Sequence, residues 1–328
     1  LNKVDAFASI VTGDSYNISR FHSPDLERVL TEILKKNVFD LILFESLFTA
    51  PYLKTIRLYS DGLAILRAHN VEHRIWQFLA DETPQFTRKK YLNWLAEKLE
   101  KYEVSVLSDF DGIVAISEED MTNFRELGCE LPMQLVTFGL DNQEWPEDSS
   151  GPANHVFHLG AMDWRPNQQG VRWFVNRVWP LIRQRVPNAS LRLAGRNFPS
   201  SWDAPENMGI QVLGEIADAW DMMSDSGIMI IPLMSGSGMR IKAIEALAAG
   251  RPIVSTPLGV EGIPAEDGKH LMIASTPEKF AACVIELLEQ SELASKIGSE
   301  GRRWAKANYE NDKLISSMVS TFQEVYQL

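Results

Sequence analysis

Short apolar runs rich in Val, Ile and Leu recur along this chain, separated by longer stretches whose apolar positions return with helical spacing. The runs are LILFES (41–46), LAILRAHN (63–70), GIVAIS (112–117), VFHLGAM (156–162), SLRLAG (190–195), IQVLG (210–214), GIMIIPL (227–233), PIVST (252–256) and HLMIA (270–274). A strand buried on both faces reads as a continuous apolar run, and alternation of such strands with amphipathic helices predicts parallel sheets covered on both sides. The expected class is therefore α/β. With 328 residues the chain is too long for one ordinary core and suits two domains. The polar stretch DNQEWPEDSSGPANH (141–155) carries Pro, Gly and Ser without an apolar period, which marks the boundary. The expected organisation is a first domain over 1–145, a second over 146–310, and a terminal segment over 311–328. In that last segment Leu314, Met318, Phe322 and Val325 keep helical spacing, and the helix can lie across either domain. Open parallel sheets bind ligands beyond the carboxyl ends of their strands, so two such domains facing one another make a cleft.

Composition narrows the classes. A net charge of −12 argues against a broad nucleic-acid surface, which needs a dominant basic face. Cys129 and Cys283 offer neither a disulfide framework nor a zinc spacing, which points to a reducing compartment. No apolar run reaches the roughly eighteen residues that a membrane span requires, and the first residues do not form a signal peptide. A cytoplasmic location is expected, with peripheral contact to a membrane surface left open.

The chemistry concentrates in PLMSGSGMRIKAIEALAAGRPIVST (232–256). A strand opens into Ser-Gly-Ser-Gly, where glycines let the backbone approach a ligand and turn its N–H groups outward. The helix that follows offers its positive end to an anion, and Arg240 and Lys242 add full charges. This is a phosphate site without the Walker order G-x-x-x-x-G-K-[ST]. Glu245 extends it to a nucleotide, since a carboxylate beside a phosphate is repulsive unless it has donors of its own, and two ribose hydroxyls supply them. A solvated glutamate, or one paired with Lys242 or Arg240, accounts for the spacing equally well.

HNVEH (69–73) is not the zinc motif H-E-x-x-H, because its Glu adjoins the second His. Glu72 is placed to orient His69 or to cap the next helix. Ser117 reads as the N-cap of a helix opening with Glu118 and Glu119. The charged helix near 86–108 reads as a largely solvated amphipathic face.

G-S-G-M-R-I-K-A-I-E-A-L-A-A-G-R-P-I-V-S-T resembles the donor-site signature of retaining glycosyltransferases of family 4, which have the GT-B fold of two facing Rossmann-like domains. FHLGAMDWRPNQQGVRWFVNRVWPLI, LRLAGRN and VLGEIADAWDMMSDSGIMIIPL resemble successive units of the family's donor domain. FDLILFES, RAHNVEH and YEVSVLSDFDGIVAISEED resemble the later part of its acceptor domain. The opening LNKVDAFASIVTGDSYNISRFHSPDLE resembles a segment well inside that domain, so the family's first βα units are expected to be missing from this sequence.

The resemblance implies a role for each matched residue. The family's two glutamates, separated by seven residues, fall on Ser237 and Glu245, so the ribose ligand is present and the first contact is changed. Arg240 and Lys242 are assigned to the donor diphosphate, with Arg165 in support, and the Gly236–Met239 turn (Gly236, Ser237, Gly238, Met239) lines it. Gly160 begins the strand-end turn of the donor domain; Glu215 and Ile216 follow Gly214 where the family's backbone touches the base; Arg196 lies at another strand end. A surface arginine at 196 and simple core packing of Ile216 are equally open. His69 is expected at the end of an acceptor-domain strand facing the donor sugar, with a satisfied buried histidine as the alternative. No carboxylate nucleophile carries over, which implies a same-face route in which the leaving diphosphate helps deprotonate the acceptor. Stabilising that diphosphate is then the main catalytic task, and neither metal nor cofactor is expected.

The activity implied is transfer of a hexosyl group from a nucleotide sugar to a glycan, lipid-linked or small-molecule acceptor. A nucleotide-sugar epimerase of the same fold and a sugar-nucleotide-binding protein without turnover are the alternatives. The Ser237 change and the expected missing start keep the last one open.

Overall fold

The computed structural model describes residues 18, 20–81, 83–141, 155–198, 202, 208–225, 227–236 and 239–326. The expected linker falls almost wholly outside them, as do Ser237 and Gly238. The chain divides into two compact units, one made of residues 1–137 and 315–328, the other of residues 138–314. The changeover at Thr137/Phe138 has a local cause. Leu140 N–H donates to Tyr309 O at 2.8 Å and Asn311 N–H to Leu140 O at 2.9 Å, which ties this stretch to the second unit.

The first unit contains α1 (Pro24–Leu34), β1 (Leu41–Glu45), α2 (Leu53–Tyr59), β2 (Leu63–Ala68), α3 (Glu72–Asp81), α4 (Phe86–Leu107), β3 (Gly112–Ala115), α5 (Glu118–Glu126) and β4 (Met133–Leu135). Its described strands form one parallel sheet in the order β1-β2-β3-β4. β4 was not among the expected strands. It is three residues long with Gln134 at its centre, and pairs on one side only, so it carries no apolar run. Ser117 caps α5 as expected, its hydroxyl accepting from Asp120 N–H at 3.0 Å.

The second unit runs β5 (Val156–Leu159), α6 (Arg165–Trp173), one π turn (Phe174–Val178), α7 (Trp179–Arg185), β6 (Leu191–Ala194), β7 (Ile210–Gly214), α8 (Ala219–Ser224), β8 (Ile228–Ile231), α9 (Ile241–Ala248), β9 (Ile253–Ser255), β10 (Met272–Ile273), α10 (Pro277–Glu289) and α11 (Ser291–Tyr309). Its strands are parallel, in the order β10-β9-β8-β5-β6-β7. The two-residue strand period explains the apolar runs. Val156, Ile228 and Ile230 join the cluster on one face with Trp179 and Phe280, while Phe157, Met229 and Ile231 join the other with Ile244 and Leu247. Every side chain of β8 is fully buried, each contributing about 1.5–3 kcal/mol of transfer free energy.

The final helix, α12 (Asn311–Tyr326), begins in the second unit and continues in the first. Phe322 is 2% exposed, and a β-carbon on Gly112 would stand 3.0 Å from its ring, so the helix packs closely on the start of β3.

Candidate functional site: an anion site at the switch point of the second sheet

In the second sheet the chain builds outward from β5 in one direction through β6 and β7, then returns to β8 on the other side and builds away again. The connections leaving the carboxyl ends of β5 and β8 therefore diverge, and the crevice between them is where open parallel sheets hold ligands. Gly160 to α6 is one of these connections. The other runs from Pro232 to α9, and contains the glycine-rich segment.

Gly236 has φ +110°, a backbone that side chains rarely adopt, and a β-carbon there would stand 2.9 Å from the Trp164 ring. Glycine thus lets the turn lie against that indole. Arg240 precedes α9 and is only 4% exposed. Its Nη2 donates to Gly236 O at 3.0 Å, its Nε to Leu258 O at 3.4 Å, and its guanidinium carbon lies 5.6 Å from the Trp164 ring centre. These contacts fix the turn from inside. Burial lowers the Arg240 pKa, with nearby Glu261 acting in the opposite direction.

Lys242, the second residue of α9, is half-buried, and its Nζ donates to Asn167 Oδ1 at 2.9 Å. It forms no ion pair among the described residues. Burial, followed by the charge of Arg240, lowers its pKa from 10.5 to about 7. A cation brought out of water beside another cation and answered by an amide oxygen is an arrangement that an incoming anion relieves. The amino end of α9 adds its partial positive charge at the same place.

The other residues singled out in the sequence have these positions. Gly160 is half-buried, directly after β5. Arg165 is exposed at the first position of α6. Arg196 is exposed after β6, its Nη2 3.2 Å from Asp163 Oδ2. Glu215 is exposed beyond β7, while Ile216 and Met239 pack against the apolar cluster that contains Ile231 and Ile244. Glu245 is half-buried on α9, one turn after Lys242. Ser237 and Gly238 lie outside the described residues.

His69 lies at the carboxyl end of β2, in the first unit. Its side chain is 45% exposed and Nε2 is 2.9 Å from Glu45 Oε2, which overturns the alternative of a buried histidine. The partner of His69 is Glu45 rather than Glu72, whose backbone turns it inward at the start of α3, where it is 6% exposed. His73 is buried, with Nδ1 2.7 Å from Glu103 Oε2. The two histidines of HNVEH therefore have separate partners. Among the described residues no group of three or more His, Cys, Asp or Glu is placed to hold a metal.

Glu103 also corrects the reading of α4 as largely solvated, since it is 1% exposed alongside buried Leu95, Ala96 and Leu99. Sequence reasoning likewise assigned nothing to Asn167 or His158. Asn167 follows Pro166 in the first turn of α6, which reads as ordinary helix-start chemistry. His158 sits within an apolar strand, where it resembles any core residue.

Residues 153–290 match the family model described as glycosyl transferases group 1. A relative from Klebsiella pneumoniae, described as an uncharacterized 44.6 kDa protein in the cps region, is 25% identical over 301 residues, covering 88% of this chain and 76% of its own. Among solved structures, Anabaena Alr3699/HepE in complex with UDP superposes with a TM-score of 0.67 at 14% identity, covering 92% of this chain and 82% of that one. Sucrose-phosphate synthase from Thermosynechococcus elongatus superposes with a TM-score of 0.65 at 15% identity, covering 93% and 78%. These likenesses identify the architecture of two parallel-sheet α/β units as the GT-B fold. No helix among the described residues is long and apolar enough to cross a membrane.

Proposed function

We propose that this protein is a retaining glycosyltransferase that moves a hexosyl group from a nucleotide sugar to a glycan, lipid-linked or small-molecule acceptor. The observation that carries this reading is the pair Arg240 and Lys242, buried or half-buried at the sheet's switch point, with a lysine that no carboxylate answers among the described residues. A diphosphate supplies the missing negative charge. The match of this region to the group 1 glycosyl transferases and the UDP bound by the Anabaena relative agree with that choice of anion.

In this reading Arg240, Lys242 and the amino end of α9 hold the diphosphate and stabilise the charge that grows on it as the sugar departs. Preorganised cations in a site of low dielectric act on that charge without further reorganisation, so bound metal is not required. Glu245 receives the ribose hydroxyls. The Gly236–Met239 turn and Gly160 border the donor, with Arg165 at its rim and Glu215, Ile216 and Arg196 at the neighbouring strand ends. His69 serves the transfer step. His158 is no acid or base for it, because burial and the charge of Lys242 push its pKa down to about 3.

The test is a binding screen of UDP-, GDP- and ADP-sugars by isothermal titration, followed by mass analysis of products with candidate acceptors. A glycosylated acceptor is the expected result. An epimerised nucleotide sugar, or binding without turnover across the acceptor set, overturns the reading.

A further inference from the structure

Asn167 joins the two connections that border the switch point. Carried on α6, it is 4% exposed. Its Nδ2 donates to Ala161 O at 2.8 Å, which orients the amide and leaves Oδ1 to accept from Lys242 Nζ at 2.9 Å. A residue in the first turn of α6 therefore holds the amine of a residue in the first turn of α9. Close by, His158 is wholly buried. Its Nδ1 donates to Ile230 O at 3.1 Å, which fixes the neutral tautomer and leaves Nε2 as a lone pair without a partner. A β-carbon on Gly160 would stand 2.8 Å from Asn167 Nδ2 and 3.0 Å from His158 Nε2, so both side chains crowd the same point.

The groups around Lys242 can be named. Asn167 comes from α6 and is uncharged; His158 comes from β5 and stays neutral; Arg240, just before α9, is cationic; Glu245 lies one turn further along α9 itself. Arg240 in turn feels Glu261. An amine held by an amide oxygen beside a guanidinium gives up its proton readily, and an anion arriving at the same place restores it.

We propose that Asn167 is a positioning residue that holds Lys242 in the site without fixing its charge, so that binding of a diphosphate draws one proton from solvent onto Lys242 Nζ. This rests on the diphosphate reading of the site. When the diphosphate leaves, the proton returns to solvent, and the crevice is not left with a half-buried ammonium beside the buried guanidinium of Arg240. The lowering of the Lys242 pKa to about 7 places the uptake above neutrality. There the terminal phosphate of UDP is already ionised, a phosphate's second pKa being about 6.

The experiment is isothermal titration with UDP, from about pH 7.5 to about 9.5, in pairs of buffers of different ionisation enthalpy, with inorganic pyrophosphate as a second probe of binding alone. For the wild type the expected result is proton uptake that grows toward one per site, with affinity falling by up to about tenfold per pH unit. Lys242→Met should bind more weakly and take up no proton. Asn167→Asp places a carboxylate against the amine and fixes its charge, so uptake should vanish from this window. Asn167→Ser, a smaller change that keeps the helix start, should shift the uptake profile if Asn167→Asp does not fold. A purely structural Asn167 would lower the melting temperature and leave the uptake profile where it was. Binding without uptake in the wild type, or an unchanged profile in a folded Asn167 variant, overturns the inference and leaves the proposed function standing. If neither probe binds the wild type at any pH, the proposed function falls and the inference with it.

Discussion

Each unit holds an ionisable side chain in the first turn of a helix that follows a parallel strand, buried in the first unit and half-buried in the second, and the two are answered differently. In the first unit Glu72 has its pKa raised to about 7 by burial and by the charge of Glu103. Glu103 is itself answered from within the unit, accepting from the N–H groups of Glu72 at 3.1 Å and His73 at 3.4 Å and from His73 Nδ1 at 2.7 Å. It caps the amino end of α3, where a negative charge belongs. In the second unit Lys242 has its pKa lowered to about 7, and its neighbours are an amide oxygen and a second cation. Both groups are therefore displaced to about the same pKa. What separates them is whether the chain completes the charge balance by itself, and in the proposed function a ligand completes it in the second unit.

The largest effect that sharpens this contrast should come from Glu103→Ala. Removing one partner of a buried pair costs about 3–5 kcal/mol, which a denaturant melt should register in the first unit while UDP affinity of the folded protein stays as it was. A matching loss of UDP affinity would end the distinction between the two clusters. Next comes His69→Ala, expected to slow transfer by about 10²-fold, near 2.7 kcal/mol, with UDP affinity nearly unchanged. A folded variant that transfers at the normal rate removes His69 from the reaction. Glu245→Ala should weaken UDP by about 1.5–3 kcal/mol, as for a hydrogen bond to a charged group, and barely affect the 2′,3′-dideoxy analogue. Equal losses on both would make Glu245 structural.

A smaller effect concerns pH and stability. Glu72 has a folded pKa above its ordinary 4.5, so the native state holds the extra proton between that value and about 7. Its contribution is present below the ordinary value and lost as pH rises through about 7. Thermal melts from about pH 4.5 to about 8 should then show that Glu72→Gln flattens the decline between 4.5 and about 7, and an unaltered pH profile would contradict this. Lys242 has the opposite sign: its contribution is present above its ordinary 10.5 and lost as pH falls through about 7. Smallest of all is the effect of chelation, where donor binding should be indifferent to EDTA. Binding lost in EDTA and restored by magnesium or manganese would overturn the metal-independent reading.

Much of the fold was legible because buried parallel strands must be apolar on both faces, and runs such as GIMIIPL have no other economical placement. The strand at Met133–Leu135 was not, since three residues on one edge of a sheet leave no run to detect. The glycine turn, Arg240, Lys242 and Glu245 stood out because they are neighbours on the chain, and a helix start imposes their spacing locally. Glu103 was hidden within a Lys- and Glu-rich helix, where composition alone gives no sign of which acidic side chain faces inward.

The sequence by itself determined the alternation of strands and helices and the grouping of a glycine turn, two cations and a glutamate after β8, because both depend on residues within a few turns of one another. Only the tertiary structure decided what that chemistry faces. The return of the chain from β7 to β8, on the other side of β5, brings Asn167 against Lys242 across 75 positions of sequence and sets His158 beneath the same crevice. Strand order of this kind is chosen by how whole faces of the sheet are covered, so no short pattern records it. The charge state of Lys242 depends first on burial, which the fold decides, and then on Arg240, its neighbour in sequence.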